Sequence, residues 1–255
     1  MIKIKTPEEI EKMRAAGRVV ARTLEILAGS IVPDKTTTIE LDRLAEKLFV
    51  DGGAKPSFKG YRGYPNAICI AVNEEVVHGI PGERVIRPGD IVGIDVGAMV
   101  NGYHADSAVT VAIGEVSDEA RRLLGVTRDA LFRGIAEARP GNRLSDVSHA
   151  IQRYAERHGY SVVRDLVGHG IGAEMHEDPQ VPNFGDPGHG PVLQPGMTLA
   201  IEPMVNAGGS EIESLSDRWT IVTKDRSLSA HFEHTVAVGR DGPDILTLRR
   251  GEEVR

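Results

Sequence analysis

The sequence predicts an α+β protein built from two similar halves, each with a pair of helices followed by a group of strands. Two observations favour this fold class. The spacing of apolar residues changes twice from a helical period to Val- and Ile-rich runs bounded by proline and glycine, so the predicted order is helices, strands, helices, strands. Short motifs of the first half also recur in the second half, as expected for an internal repeat.

Each of the first two predicted helices begins with a capping box, in which a threonine precedes a glutamate by three residues. The sequence TPEE at 6–9 adds a proline at the first helical position and predicts a helix over about 7–28. Thr37 and Glu40 repeat the pattern before a second run of leucines and alanines. Gly52-Gly53 follows that run and predicts that the second helix ends there in a left-handed cap.

The remaining elements follow from changes in composition along the chain. Residues 67–77 and 90–113 are rich in valine and isoleucine and are interrupted by proline, glycine and asparagine, which predicts strands. A second helix pair is expected over about 117–138 and 144–158, with Gly159 at its end. A further strand-rich stretch follows toward the C-terminus.

One recurring motif places a carboxylate after a proline-glycine turn. Residues 88–95 read PGDIVGID and residues 195–202 read PGMTLAIE. Asp95 and Glu202 therefore each lie six residues after the glycine. The match places these two acidic residues at equivalent points of the two halves.

A second motif places a carboxylate two residues after a histidine. Residues 104–114 read HADSAVTVAIG and contain Asp106, whereas residues 231–239 read HFEHTVAVG and contain Glu233. Two matched pairs of carboxylates indicate two similar units packed about a pseudo-two-fold axis. Chance similarity between strands that follow proline-glycine turns is the alternative at this stage.

The repeat and the absence of a linker define the expected domain organisation. No low-complexity segment separates the two halves. We therefore expect one domain over residues 1–255, with pseudo-repeats at about 5–114 and 115–245.

A predicted hairpin brings the first two carboxylates together. Asn101-Gly102 between two strand-like runs is typical of a two-residue turn. If these residues form the turn, Gly97 faces Asp106 and Asp95 faces Ala108, so the two aspartates are diagonal neighbours roughly 7 to 8 Å apart. In a dry interior they would repel each other unless a cation lay between them. On a half-exposed hairpin both could instead point to solvent.

The second half of the sequence favours a metal site over two aspartates that point to solvent. Glu202 and Glu233 occupy the matching positions in apolar strand contexts, so four carboxylates are expected to converge near the pseudo-axis. Their charge of about −4 would be balanced by two divalent cations. Oxygen-rich ligation suits hard to borderline ions, and paired metal sites commonly activate a water molecule.

Composition and charge exclude several functional classes. The 37 acidic and 30 basic side chains give a net charge of −7, which argues against direct binding of nucleic acid. Cys69 is the only cysteine, so neither an intramolecular disulfide nor a zinc site of several thiolates can form, and a reducing, cytoplasmic setting fits. The sequence shows no signal peptide and no apolar run long enough to span a membrane.

Histidines in glycine-rich segments are further candidates for a site. Residues 168–179 read GHGIGAEMHEDP, and HGIP at 78–81 contains another histidine. Taken alone, such histidines are more often polar turn residues than ligands. The first segment also has some similarity to glycine-rich phosphate-binding loops, but it lacks the Lys-Ser/Thr pair with which those loops end.

Taken together, these segments are similar to those of the type I methionine aminopeptidases, metal-dependent enzymes with the pita-bread fold that remove the initiator methionine. The resemblance runs from about residue 3 to 248. It is carried by NAICIAVNEEVVHGIP (66–81), GDIVGIDVGAMVNGYHADSAVT (89–110), GHGIGAEMHEDPQVPNF (168–184), LAIEPM (199–204) and AHFEHTVAV (230–238).

The resemblance implies a complete catalytic site. The implied metal ligands are Asp95, Asp106, His169, Glu202 and Glu233, with Asp106 and Glu233 bridging two ions of cobalt, manganese, iron or zinc. The implied catalytic residues are Glu202, as the general base toward a metal-bridging hydroxide, His176, which contacts the substrate carbonyl, and His78, which lies over the scissile peptide. The implied lining of the methionine pocket is Tyr61, Tyr64, Cys69, Met175 and Trp219, with His78 and His176 beside it.

Other implications of the resemblance are weaker or concern the surroundings of the site. Asn73, Glu75 and Ser229 match positions whose backbone carbonyls hold a sodium or potassium ion in some relatives. Met175 replaces an aromatic residue of some relatives, which predicts a more adaptable pocket. His104 and His231 flank predicted ligands and could orient them, whereas His149, His158, His189 and His234 read as surface or helix residues.

Substrates and partners follow from the same resemblance. The expected substrates are nascent polypeptide N-termini with a small second residue. We expect a monomer in the cytoplasm, with transient ribosome association and no membrane contact.

Two rival interpretations remain at this point. A prolidase or aminopeptidase P shares the fold and a similar ligand set, but those proteins usually carry a separate N-terminal domain, and only 94 residues precede Asp95 here. A non-catalytic module that binds protein or RNA is disfavoured because all five ligand positions are filled. The 33-residue spacing from His169 to Glu202 leaves no room for the helical insertion of type II enzymes.

Overall fold

A computed structural model describes residues 1–252, which form four α-helices and fifteen β-strands. The helices are α1 (Pro7–Ser30), α2 (Thr38–Asp51), α3 (Asp118–Glu137) and α4 (Leu144–Arg157). The strands are β1 (Lys55–Pro56), β2 (Ile68–Val72), β3 (Glu75–Val77), β4 (Ile91–Val100), β5 (Tyr103–Ala112), β6 (Ser161–Val162), β7 (Val167–Gly170), β8 (Glu177–Pro182), β9 (Thr198–Ile201), β10 (Met204–Asn206), β11 (Ile212–Ser214), β12 (Ile221–Thr223), β13 (Ser229–His231), β14 (His234–Val238) and β15 (Pro243–Ile245). Within these residues, none of the helices is both long and apolar enough to cross a membrane.

All four predicted helices are confirmed, with ends within about two residues of those expected. The capping box of α1 is formed: the Glu9 backbone N–H donates to Thr6 Oγ1 over 3.3 Å, and the Thr6 N–H donates to the Glu9 carboxylate over 2.7 Å. At the end of α2 only Gly53 is left-handed, with φ of 65°, whereas Gly52 keeps a right-handed φ of −83°. The left-handed cap therefore falls on the second glycine.

The predicted hairpin and its register are also confirmed. Asn101 and Gly102 both have positive φ, 51° and 80°, as the two-residue turn requires. In the ladder between β4 and β5, Asp95 lies opposite Ala108, two positions from the pair formed with Asp106. The other edge of β4 pairs with β1 and β2.

The second half repeats this order with a larger sheet. Helices α3 and α4 are followed by five antiparallel strands in the order β15-β14-β9-β7-β8. Two smaller sheets, β13-β10-β6 and β11-β12-β3, complete the structure, and the last joins strands of both halves. Each half has its own apolar core, in which a helix pair packs on its sheet.

The two halves meet where β5 runs beside residues 231–235. The Asp106 backbone N–H donates to Thr235 Oγ1 over 3.0 Å, and that hydroxyl donates to the Asp106 carbonyl over 2.8 Å. The Glu233 N–H donates to the Ala108 carbonyl over 3.0 Å. These bonds bring Asp106 of the first half and Glu233 of the second half together where the two halves meet.

A close approach in α1 makes a testable prediction about packing. A Cβ added to Gly17 would lie 2.1 Å from the Leu246 carbonyl oxygen, whereas one added to Gly29 would meet nothing within 4 Å. Gly17→Ala is expected to reduce the free energy of unfolding by about 1 to 3 kcal/mol, because the helix must move away from the C-terminal segment. Gly29→Ala, in the same helix, should be neutral or stabilising by up to about 1 kcal/mol. Chemical denaturation of both variants checks this, and equal stabilities would contradict it.

Candidate metal centre and adjoining cavity

Strands of both halves supply the five predicted ligands. Asp95 lies in β4, Asp106 in β5, His169 in β7, Glu202 directly after β9, and Glu233 between β13 and β14. All five line one cavity of about 140 Å³. The structure therefore brings together residues that are up to 138 positions apart in the chain, counted from 95 to 233.

Two short separations in this group involve His169. Its Nε2 atom lies 3.5 Å from Asp106 Oδ2 and 3.7 Å from Glu202 Oε1. One ligand atom each from Asp106, His169 and Glu233 lie within 4.8 Å of one another, and these three residues are buried. These atoms are therefore close enough to one another to share a bound cation.

Burial of so many carboxylates perturbs their ionisation. Burial, followed by the charges of neighbouring carboxylates, raises the pKa of Asp95 and of Glu233 well above their usual values. Burial also raises the pKa of Glu202 to about 8, against the opposing effect of a charged His169. Asp95 Oδ1 has no hydrogen-bond partner among the described residues, although it is buried. These carboxylates therefore repel one another in a buried setting, and a bound cation would relieve that repulsion.

The pKa of His169 is shifted as well. Burial on its own would lower the pKa of His169, but the hydrogen bond and charge of Asp106 raise it to about 9. Its Nδ1 lies 2.8 Å from the Gly170 carbonyl oxygen, which fixes that nitrogen as the donor and turns Nε2 toward the carboxylates. Carboxylate oxygens with one imidazole form a donor set that fits manganese, iron, cobalt or zinc.

Close packing accounts for the glycines around His169. A Cβ at Gly168 would lie 2.3 Å from the Ala200 carbonyl oxygen, and one at Gly170 would lie 2.2 Å from the Asp178 carbonyl oxygen. The glycines therefore let β7 fit between β9 and β8 and hold the imidazole in place. Phosphate binding is not needed to explain them.

The two histidines predicted to be catalytic, His78 and His176, line the same cavity. The ring of His176 lies 4.1 Å from that of His169 between centroids and stacks on Tyr61 at 5.1 Å, with its Nδ1 2.9 Å from the Tyr61 hydroxyl. Desolvation in the cavity and the charge of His169 lower the pKa of His176 to about 4. His78 follows β3 with a φ of 60°, an unusual conformation for a side chain larger than glycine.

The predicted methionine pocket forms the apolar wall of this cavity. Its lining includes Tyr61, Tyr64, Cys69, Met175 and Trp219. The Tyr64 hydroxyl lies 3.0 Å from the Ile68 carbonyl oxygen and 2.9 Å from that of Gly79, either of which can accept its proton, and its ring meets the edge of Trp219 at 5.1 Å. Cys69 pairs with Asp95 across the ladder, and burial raises the pKa of its thiol well above the usual value.

Four residues near the site were not predicted from the sequence. Phe58 and Arg62 line the cavity, and Arg62 has a left-handed backbone with φ of 50°. Thr235 Oγ1 donates to Asp106 Oδ1 over 3.1 Å. The Glu233 carbonyl accepts a hydrogen bond from Ser107 Oγ. A Ser or Thr close to a predicted ligand is the only sequence signal available for the last two.

Two histidines beside predicted ligands have different surroundings. His231 is buried. Its Nε2 lies 3.7 Å from Glu202 Oε2 and has no hydrogen-bond partner among residues 1–252. Burial lowers the pKa of His231 to about 3. His104 instead has Nδ1 2.8 Å from Ser57 Oγ.

The placement of His234 as a surface or helix residue was wrong. It lies in β14 with its side chain fully buried. Its Nδ1 is 2.9 Å from Thr247 Oγ1, and its Nε2 is 3.4 Å from Glu252. The strand that follows Glu233 turns this ring inward, where Nδ1 has a hydroxyl partner and Nε2 has no hydrogen-bond partner among the described residues.

The three residues predicted to hold a monovalent cation lie outside the main cavity. The Ser229 N–H donates to the Asn73 carbonyl over 2.9 Å, so these two backbones are in contact. Glu75 lies at the start of β3, and its carboxylate accepts from the Val72 N–H over 2.8 Å. The cation itself stays a prediction.

Comparison with known proteins places this arrangement in a family. The sequence profile of "Metallopeptidase family M24" matches residues 11–240. "Methionine aminopeptidase 1" of Bacillus subtilis is 56% identical over 247 residues, which cover 97% of this chain and 99% of that protein. The crystal structure of a methionine aminopeptidase from Thermotoga maritima superposes with a TM-score of 0.95 and 50% identity, covering 97% and 99% of the two chains.

A prolidase provides the contrast. The prolidase of Pyrococcus furiosus superposes with a TM-score of 0.78 at 25% identity, and the match covers 97% of this chain but 66% of that one. The fold is thus the pita-bread fold shared by both groups. In this chain, residues 170–201 between His169 and Glu202 contain strands and turns and no helix. The chain belongs to metallopeptidase family M24 and, within it, to the type I methionine aminopeptidases.

Proposed function

We propose that this protein hydrolyses the N-terminal methionine from nascent proteins and peptides, with a preference for a small second residue. One observation carries the proposal: four carboxylates and an imidazole line the same cavity as the apolar side chains of Tyr64, Cys69 and Trp219. The first group of residues suits the chemistry of peptide hydrolysis, and the second suits a methionine side chain.

The donor set defines where metal would bind. Asp95, Asp106, His169, Glu202 and Glu233 would hold two divalent ions of cobalt, manganese, iron or zinc. When bound, such ions polarise a carbonyl group and lower the pKa of water. A separate monovalent ion, sodium or potassium, would be held by the backbone carbonyls of Asn73, Glu75 and Ser229.

Glu202 is the proposed general base. Its side chain is 14% exposed, so it borders the open part of the cavity while the neighbouring Glu233 is buried. The carboxylate takes the proton of the attacking water and then delivers a proton to the leaving amine.

His176 and His78 act on the substrate peptide. With the Tyr61 hydroxyl donating to Nδ1, the neutral ring of His176 carries its proton on Nε2 and can donate to the oxygen of the tetrahedral intermediate. Its lowered pKa keeps the ring neutral at pH 7. His78 lies at the exposed mouth of the cavity, beside Trp219 at 6.5 Å between ring centroids, and would contact the scissile peptide.

The setting proposed for this activity follows from its substrate. The chain acts as a single domain over 1–255, with the pseudo-repeats 5–114 and 115–245 contributing to one site. It works as a cytoplasmic monomer and meets nascent N-termini by transient association with the ribosome.

Release of free methionine from the peptide Met-Ala-Ser tests the proposal. Chelator-treated protein is expected to be inactive and to regain activity with added Mn(II) or Co(II). Ala-Pro peptides serve as the comparison substrate. Cleavage of Ala-Pro without methionine release would favour a prolidase, and no cleavage with any metal would favour a binding module.

A further inference from the structure

The N-terminal arm, residues 1–5, lies against the loop that carries His176. We define this loop as residues 172–178. Lys5 Nζ lies 2.6 Å from Glu177 Oε2, and the two side chains are only 4% and 2% exposed. The arm is also held from the other side, because the Lys5 backbone N–H donates to the Gly196 carbonyl over 2.8 Å.

Glu177 connects this ion pair to the shape of the loop. While Oε2 accepts from Lys5, Oε1 accepts from the Glu174 backbone N–H over 3.3 Å. Glu174 and Glu177 lie on either side of Met175 and His176, so one carboxylate closes the turn that presents these two side chains to the cavity. Burial alone would raise the pKa of Glu177, but the hydrogen bond from Lys5 holds it below its usual value and keeps the carboxylate ionised.

A second pair in the same arm has a different character. Lys3 Nζ lies 2.9 Å from Glu174 Oε1 and 3.5 Å from Glu177 Oε1, but the Lys3 and Glu174 side chains are 50% and 69% exposed. The close partner of the buried Glu177 carboxylate is Lys5, at 2.6 Å. An exposed pair of this kind contributes little to structure, whereas a buried pair fixes its partners in one geometry or leaves an uncompensated charge. Lys3 therefore offers a matched control for Lys5.

We propose that Lys5 is a positioning residue for His176, acting through Glu177 on the 172–178 loop, so that the N-terminal arm is a working part of the active site. The inference rests on the proposed function, in which His176 donates to the reacting oxygen. Apolar side chains at both positions could hold the arm in place equally well. They would leave the Glu174 N–H without its acceptor and the loop without its closure.

Kinetics and hydrogen exchange of four single variants test this inference: Lys5→Met, Lys5→Arg, Lys3→Met and His176→Ala. Lys5→Met is expected to lower kcat on Met-Ala-Ser by roughly 10- to 100-fold, because small displacements of a catalytic group have effects of this size. The KM and the calorimetric affinity for Mn(II) should stay within about threefold, and backbone exchange in 172–178 should become faster. Lys5→Arg should recover most of kcat, and Lys3→Met should match the unchanged protein.

A double-mutant cycle separates positioning from general stability. If Lys5 acts through His176, Lys5→Met should add little to the loss of kcat already caused by His176→Ala. Should Lys5→Met fold poorly, Lys5→Met/Glu177→Leu removes the unpaired buried charge and is expected to restore the melting temperature while kcat stays low.

The inference would be overturned by an unchanged kcat in Lys5→Met, by an equal loss in Lys3→Met, or by recovery of kcat together with stability in the double variant. Hydrogen exchange needs no turnover. An inactive unchanged protein would therefore refute the proposed function, whereas unaltered exchange in Lys5→Met would refute the positioning role.

Discussion

The Glu202→Gln variant is expected to release methionine roughly a thousandfold more slowly than the unchanged protein, as is typical when a general base is lost. The amide cannot take a proton from the attacking water. It also presents an N–H₂ group where His169 Nε2 now faces a carboxylate oxygen at 3.7 Å. Single-turnover and steady-state measurements on Met-Ala-Ser, with excess Mn(II), give the ratio of kcat.

Folding and metal content serve as controls for this variant. Glu211→Gln removes an equally charged but exposed side chain, which pairs with Lys224 at 3.2 Å, and should leave kcat unchanged. The metal-free Glu202→Gln protein should melt no lower than the metal-free parent at pH 8, because it lacks one buried charge. A variant that keeps more than about a tenth of the parent's kcat would rule out Glu202 as the base, since the smallest usual effect is about a hundredfold.

Metal-free protein is expected to lose stability as the pH rises from 7 to 8. Glu202 has its pKa raised from 4.5 to about 8 in the folded chain, and His169 from 6.5 to about 9. The folded state thus holds more protons than the unfolded state in this interval, so the free energy of unfolding falls as these protons are lost. Asp95 and Glu233, with pKa values also raised by burial, act in the same direction.

The choice of interval removes the main opposing effect. His176 and His231 have lowered pKa values of about 4 and 3, so their contribution to stability is lost only as the pH falls below their unfolded value near 6.5. Above pH 7 both rings are largely neutral in either state. Thermal melts of chelator-treated protein at pH 7 and pH 8 measure the slope, and saturating Mn(II) should abolish it. A metal-free melting temperature that is equal or higher at pH 8 would contradict the expectation.

Local signals explain why much of the fold could be predicted from the sequence. The capping box at Thr6 and the turn at Asn101-Gly102 are each formed by residues within a few positions of one another, so their patterns determine helix starts and strand register directly. The internal repeat is a signal of longer range, because it makes Asp95 and Glu202 equivalent positions of the two halves. The candidate cavity contains these and the other residues selected in this way.

Contacts between distant parts of the chain explain what could not be predicted. Thr235 and Asp106 are 129 positions apart, and Lys5 and Glu177 are 172 apart. No periodicity or spacing in the sequence links such residues. Nothing in the sequence distinguishes Lys5 from the other charged residues that precede the first helix. His234 was misplaced for a similar reason, since its buried partners Thr247 and Glu252 lie in a different segment.

The position of β5 beside residues 231–235 sets an order of events during protein synthesis. At roughly 5 to 20 residues per second, the 129 positions from Asp106 to Thr235 take roughly 6 to 26 s to translate. During that time the first half waits for the ligands that the second half would supply, of which Glu233 is the last. A nascent chain interrupted before Glu233 therefore lacks one of the five proposed metal ligands.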